Sequence, residues 1–215
     1  MTTPDAVLTF WIDKLAPEQR FARDHAVDAR IARRFGKLHA ELARAVSSDW
    51  TATPRSLLAT VIVLDQFSRN LFRDDARAFA QDAAALALAE DAISRGWDTN
   101  LSAQEKQFLY MPLMHSEMLA DVERCIVLMH AAGHAAGEAF AQRHAAVLAR
   151  FGRYPARNAA LRRETTPEEE TFLAKTLMGF DRIVPIKAAG NRRLSTTACC
   201  NQRYNRQSKR RGTNA

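Results

Sequence analysis

Helix start signals recur at four places along this chain, at Thr3-Pro4-Asp5, Thr53-Pro54, Ser102-Ala103-Gln104-Glu105 and Thr166-Pro167-Glu168-Glu169. Each offers a hydroxyl to the unpaired amides of a first turn. Three add a proline, whose fixed φ suits the first helical position, and two add the glutamate of a capping box. No two-residue hairpin signature separates alternating apolar runs, so the expected fold class is all-α.

The first signal leads into Val7, Leu8, Phe10 and Trp11. Val27, Ile31, Phe35, Leu38 and Leu42 then draw one apolar stripe at helical spacing, in a helix expected to end near Ser47-Ser48. Leu57, Leu58, Val61, Ile62, Val63 and Leu64 are apolar nearly all round, which predicts a central buried helix; a strand is the alternative, because the run is partly β-branched. Asp74-Asp75 is expected to open the next helix, which closes at Arg95-Gly96. Pro112 is expected to kink or break its helix just before His115-Ser116-Glu117. A helix bearing Cys125 and Met129 follows, then a small-residue turn over Gly133 to Gly137. Phe140 to Arg150 is read as a helix closed by Gly152.

Net charge misleads until it is divided along the chain. The formal +7 arises because residues 181–215 carry nine Lys/Arg against one acid, leaving 22 cations against 23 acids elsewhere. We therefore expect a single helical domain over 1–176 and a basic, disordered tail over 177–215. The domain has no general electrostatic attraction for nucleic acid or an anionic membrane; the tail allows weak nucleic-acid contact at most. Three cysteines form neither a disulfide framework nor a repeated Cys-x-x-Cys pattern, and the amino-terminal stretch lacks a cationic region followed by an apolar one. A cytoplasmic protein with no membrane span is expected, and nothing specifies an oligomeric state.

Five ordered motifs resemble a known family. They are Val7-Leu8-Thr9-Phe10-Trp11, Leu64-Asp65-Gln66-Phe67-Ser68-Arg69-Asn70, Tyr110-Met111-Pro112-Leu113-Met114-His115-Ser116-Glu117, Arg150-Phe151-Gly152-Arg153-Tyr154-Pro155 and Thr166-Pro167-Glu168-Glu169. Together they look like the mainly bacterial proteins grouped as domain of unknown function 924, over roughly residues 5 to 174. The resemblance implies a tetratricopeptide-like right-handed superhelix of antiparallel helix pairs and brings no activity. Ser68 stands where the family usually has proline, and Ala156 where it usually has histidine. The family usually ends soon after Phe172-Leu173-Ala174, so the basic tail is foreign to it.

Polar residues that directly follow an apolar helical run need partners inside the fold. Asp65 and Arg69 lie four apart, as do Gln66 and Asn70, and Arg69 and Arg73, which places an acid–arginine pair and an amide pair on neighbouring faces. Arg153, Arg157 and Asn158 follow Gly152 in a turn from which their donors can grip a carboxylate or phosphate. The bland alternatives are an ion-pair network that fixes helix packing, and arginines that cap helix ends.

Two functions follow. In the first, Asp65, Gln66, Arg69, Asn70, Arg73, Arg153, Arg157 and Asn158 line a groove of a binding scaffold that takes a small anionic ligand or a peptide. In the second, His115 exchanges protons with Glu117 or Asp65 as its partner, in a small hydrolase-like or acid/base enzyme acting on an anionic metabolite. His130 and His134 have the spacing of a zinc-binding helix pair, but the glutamate of that motif is missing, so neither a metal nor any other cofactor is expected.

Overall fold

The computed structural model describes residues 2–177, so nearly all of the expected basic tail lies outside the described residues. Within them the chain forms α1 (Pro4–Leu8), α2 (Pro17–Phe21), α3 (His25–Arg44), α4 (Pro54–Ile62), α5 (Ser68–Leu71), α6 (Asp82–Ser94), α7 (Ala103–His115), α8 (Leu119–Ala131), α9 (Ala135–Phe151) and α10 (Pro167–Leu177), with no strand. The start signals act as their chemistry requires. Thr3 accepts from the Ala6 amide at 3.3 Å, Thr53 from the Ser56 amide at 3.1 Å and Ser102 from the Glu105 amide at 3.3 Å. Glu169 returns a bond to the Thr166 amide at 2.8 Å.

Several boundaries differ from expectation, each for a local reason. Asp74-Asp75 does not open a helix. Asp74 takes a left-handed conformation, Asp75 caps only a short 3-10 turn, and α6 begins at Asp82. Pro112 does not break α7, which continues to His115, because the helix ends within one turn of it and little remains to be disrupted. Asp24 starts α3, α3 stops at Arg44 short of Ser47-Ser48, and Gly137 lies inside α9. Gly152 does close α9, with φ 67°.

α4 is central, packed on α1, α6 and α7, and every residue from Ser56 to Ile62 is buried, which settles the helix against the strand. Phe10, Trp11, Phe35, Phe67 and Phe108 are fully buried around it. Their rings meet edge-on or tilted, at 5.1 Å for Phe35–Phe67 and 5.5 Å for Trp11–Phe67. Phe67 therefore anchors the polar run that surrounds it in sequence. Three-residue connectors join α7 to α8 and α8 to α9, so these consecutive helices fold back on one another.

Two π-helical segments interrupt the regular turns. Thr9–Lys14 extends α1, and Arg20 closes it by donating to the carbonyls of Trp11 at 2.7 Å, Ile12 at 2.6 Å and Leu15 at 2.7 Å. Val63–Phe67 joins α4 to α5 and holds Asp65 and Gln66. The extra residue in a π turn rephases the helix, and such turns gather at functional sites. Among the described residues no helix is long and apolar enough to cross a membrane.

Candidate functional site

Asp65 leaves the π turn with no solvent exposure at all. A buried carboxylate needs several partners, and this one has them. Its Oδ1 lies 2.7 Å from His115 Nδ1 and 3.0 Å from Arg69 Nη1, while the Gln66 amide donates to Oδ2. Arg69 also donates to the Asp65 carbonyl at 2.7 Å, and its other arm reaches Asp82 at 3.0 Å. Arg157 meets the same Asp82 at 3.1 Å and closes α7 by donating to the His115 carbonyl at 2.8 Å. Phe79 lies against both arginines, with 4.6 Å from the Arg157 guanidinium to the ring centre and 5.7 Å from that of Arg69.

These contacts set the charges. Burial alone would raise the Asp65 carboxyl, but Arg69 and His115 pull it well below the usual carboxylate range. Burial, helped by Arg69, lowers His115, so the imidazole is neutral. Burial raises Asp82 against the pull of Arg69. Two arginines thus face two aspartates. His115 Nδ1 is tied to Asp65, whereas Nε2 has no hydrogen bond among the described residues, and 11% of the side chain stays exposed.

The other expected site residues go elsewhere. Asn70 and Arg73 both bind Asp28 of α3, at 2.8 Å and 2.7 Å, because α5 ends at Leu71 and Phe72 redirects the chain. The expected Gln66–Asn70 amide pair does not form, and Arg73 does not share a face with Arg69. Arg153 forks onto Glu169 at 2.7 and 2.8 Å, with Asn158 on the same carboxylate at 3.2 Å. Glu117 accepts from Arg163 at 2.9 Å and from the Tyr154 amide at 2.8 Å, and has no bond to His115. The expected single groove is therefore divided. Asp65, Gln66, Arg69, His115 and Arg157 converge, while Asn70, Arg73, Glu117, Arg153 and Asn158 tie helices and turns together.

His134 caps α9 by accepting from the Gly137 amide at 2.9 Å, and His130 pairs with Glu138 at 3.0 Å. Among the described residues no group of three His, Cys, Asp or Glu side chains is placed to hold a metal ion.

Residues 7–176 match the bacterial proteins of unknown function grouped as DUF924. The chain belongs to that family. A solved structure of a protein of unknown function from Agrobacterium tumefaciens is 37% identical and superposes with a TM-score of 0.75 over 80% of this chain and 97% of that one. No curated protein matches the DUF924 chain.

Sequence reasoning missed Asp82 and Phe79. Asp82 reads as an ordinary acid in the first turn of an alanine-rich helix, and Phe79 as a loop aromatic. No local spacing links either to Asp65. Only their position across the fold from Arg69 and Arg157 gives them a role.

Proposed function

We propose that this DUF924 protein is a ligand-binding helical scaffold, a tetratricopeptide-like superhelix, whose Asp65–His115 cluster takes a small anion together with a proton. The observation that carries the proposal is His115, held by Asp65 at one nitrogen and free of protein partners among the described residues at the other. Two arginines and two aspartates leave the cluster without spare charge while the imidazole is neutral. A carboxylate or phosphate that enters must bring a cation with it, and His115 is the group there that gains a proton near neutral pH. The free, buried Cys125 fits a cytoplasmic setting.

The test is a thermal-shift screen of carboxylated and phosphorylated metabolites, followed by calorimetry of any hit in buffers of different ionisation enthalpy. Uptake of one proton is expected, with affinity rising about tenfold per unit fall in pH above the histidine's free pKa. His115→Gln should fold and lose the hit. A ligand bound equally well at every pH, or retained by His115→Gln, would overturn the reading.

The same dyad favours a second reading. Asp65 fixes the Nδ1–H tautomer and leaves Nε2 as an oriented proton acceptor, the arrangement of a general base. Glu117 is engaged by Arg163, so an acid/base enzyme here rests on His115 with Asp65 as its partner. Conversion of a bound ligand, lost in His115→Gln and in Asp65→Asn, would establish it; binding without turnover would leave the scaffold.

A further inference from the structure

A cleft of about 460 Å³ opens between Asp74–Ala76 and Ala159–Arg162, and no side chain of the Asp65–His115 cluster lines it. Both walls turn through left-handed backbone. Asp74 has φ 61° and Arg162 φ 53°, and no other non-glycine residue among those described has a positive φ. Each sits where backbone geometry favours glycine. The Asp75 amide bonds the Phe72 carbonyl at 3.1 Å, which makes Asp74 the third residue of a tight turn. The Arg163 amide bonds the Asn158 carbonyl at 2.8 Å, and the Arg162 amide bonds that of Ala159 at 3.2 Å. These are the paired bonds of a Schellman ending, in which the left-handed residue is usually glycine. Aspartate tolerates that conformation through its short side chain; arginine has no such excuse and costs stability there.

The side chain kept at that cost is free to act. Arg162 is exposed, and its guanidinium makes no hydrogen bond, ion pair or ring contact among the described residues. Across the cleft the acids already have partners, Asp74 in Arg23 and Asp75 in Arg77 at 3.0 Å. Arg77 first, and Arg162 through space, hold the Asp75 carboxyl below its usual value, so Arg162 is a third cation beside two acids. One positive charge is left over, and Ala76, Ala159 and Ala160 keep the walls short beside it.

We propose that this cleft is a second binding site, independent of His115, in which Arg162 grips the phosphate or carboxylate of a small molecule. The test is thermal melting against sodium phosphate and, separately, sodium acetate, with ionic strength held constant by chloride. It is run at about pH 8, where a histidine-linked site is weak. The wild-type protein should show a saturable rise in Tm with one of the two anions, and the one that saturates names the headgroup. Arg162→Gly should melt no lower than wild type without anion, since glycine suits the left-handed site, and should lose the rise; Arg162→Lys should keep a reduced one. His115→Gln should keep the rise in full.

Four results overturn the proposal. They are no saturable rise with either anion, an undiminished rise in Arg162→Gly, a lower anion-free Tm in Arg162→Gly, and loss of the rise in His115→Gln instead. The last would move the anion to the His115 cluster and leave the earlier proposal standing.

Discussion

Asp65 shows how a residue can be costly and yet well placed. Its charge is buried completely, and Arg69, His115 and Gln66 offset the lost hydration. Removing one partner of such a group costs more than the pair contributes, because the remaining charge is stranded. Asp65→Asn is therefore expected to destabilise the protein by about 3–5 kcal/mol in chemical denaturation. The exposed pair Arg124–Glu90, at 3.1 Å, provides the contrast, and Glu90→Gln should cost less than about 1 kcal/mol. Equal effects from the two variants would mean that the Asp65 cluster is solvated in solution. The Asp65–Arg69 pair was legible from a spacing of four, since helical neighbours meet whatever the rest of the chain does. The Gln66–Asn70 pair obeys the same spacing and fails, because each amide has a carboxylate within reach, Asp65 for one and Asp28 for the other.

Among the elements, caps and turns decide where helices begin and which way their side chains face. Ser102 and Glu105 satisfy each other's backbone amides at the start of α7, so Ser102→Ala should cost about 1 kcal/mol, read from the denaturation midpoint. Glu169 has a wider role than its capping box implies. It is held at about 2 by hydrogen bonds from Arg153 and Thr166, and it gathers Arg153 and Asn158 onto the first turn of α10. Glu169→Ala is expected to release α10, seen as faster limited proteolysis near residues 165–177 while the rest of the domain stays protected. Unchanged cleavage would show that Phe172, which packs on Phe151 at 5.0 Å, is enough to hold the helix. The π turn at Val63–Phe67 carried no sequence signal, because an extra residue in a helix leaves both composition and caps unaltered.

At the scale of the whole molecule, buried histidines govern the response to acid. Burial lowers His39, His115 and His144 below the ordinary histidine value. The unfolded chain, with histidines near 6.5, therefore binds more protons than the folded one as pH falls. Stability from these groups is fully present above about pH 7 and is lost below about 6.5, by up to about 1.4 kcal/mol per pH unit for each histidine. Asp65, lowered in the fold, adds stability above the usual carboxylate range and loses it only in stronger acid; Asp82, raised by burial, works in the opposite sense. Urea midpoints measured across this range should fall between about pH 7 and 5, with a shallower fall in His39→Gln. A flat profile would mean that the histidines are solvated. His39 is suited to the test because it lies outside the candidate cluster, 2.7 Å from Ser68 in the core.

By itself the sequence determined the helical class, the four helix starts marked by hydroxyl caps, the buried α4 and the Asp65–Arg69 contact, all of which depend on groups within a turn or two of one another. Membership of the cluster was decided only by the tertiary structure. Arg157 enters it and Arg153 does not, although both follow Gly152 in one turn, because Arg157 faces Asp82 and the end of α7 whereas Arg153 faces Glu169 of α10. Such meetings join residues up to 75 positions apart, and they depend on how helices cross and where connectors reverse the chain. Local propensity does not encode those relations.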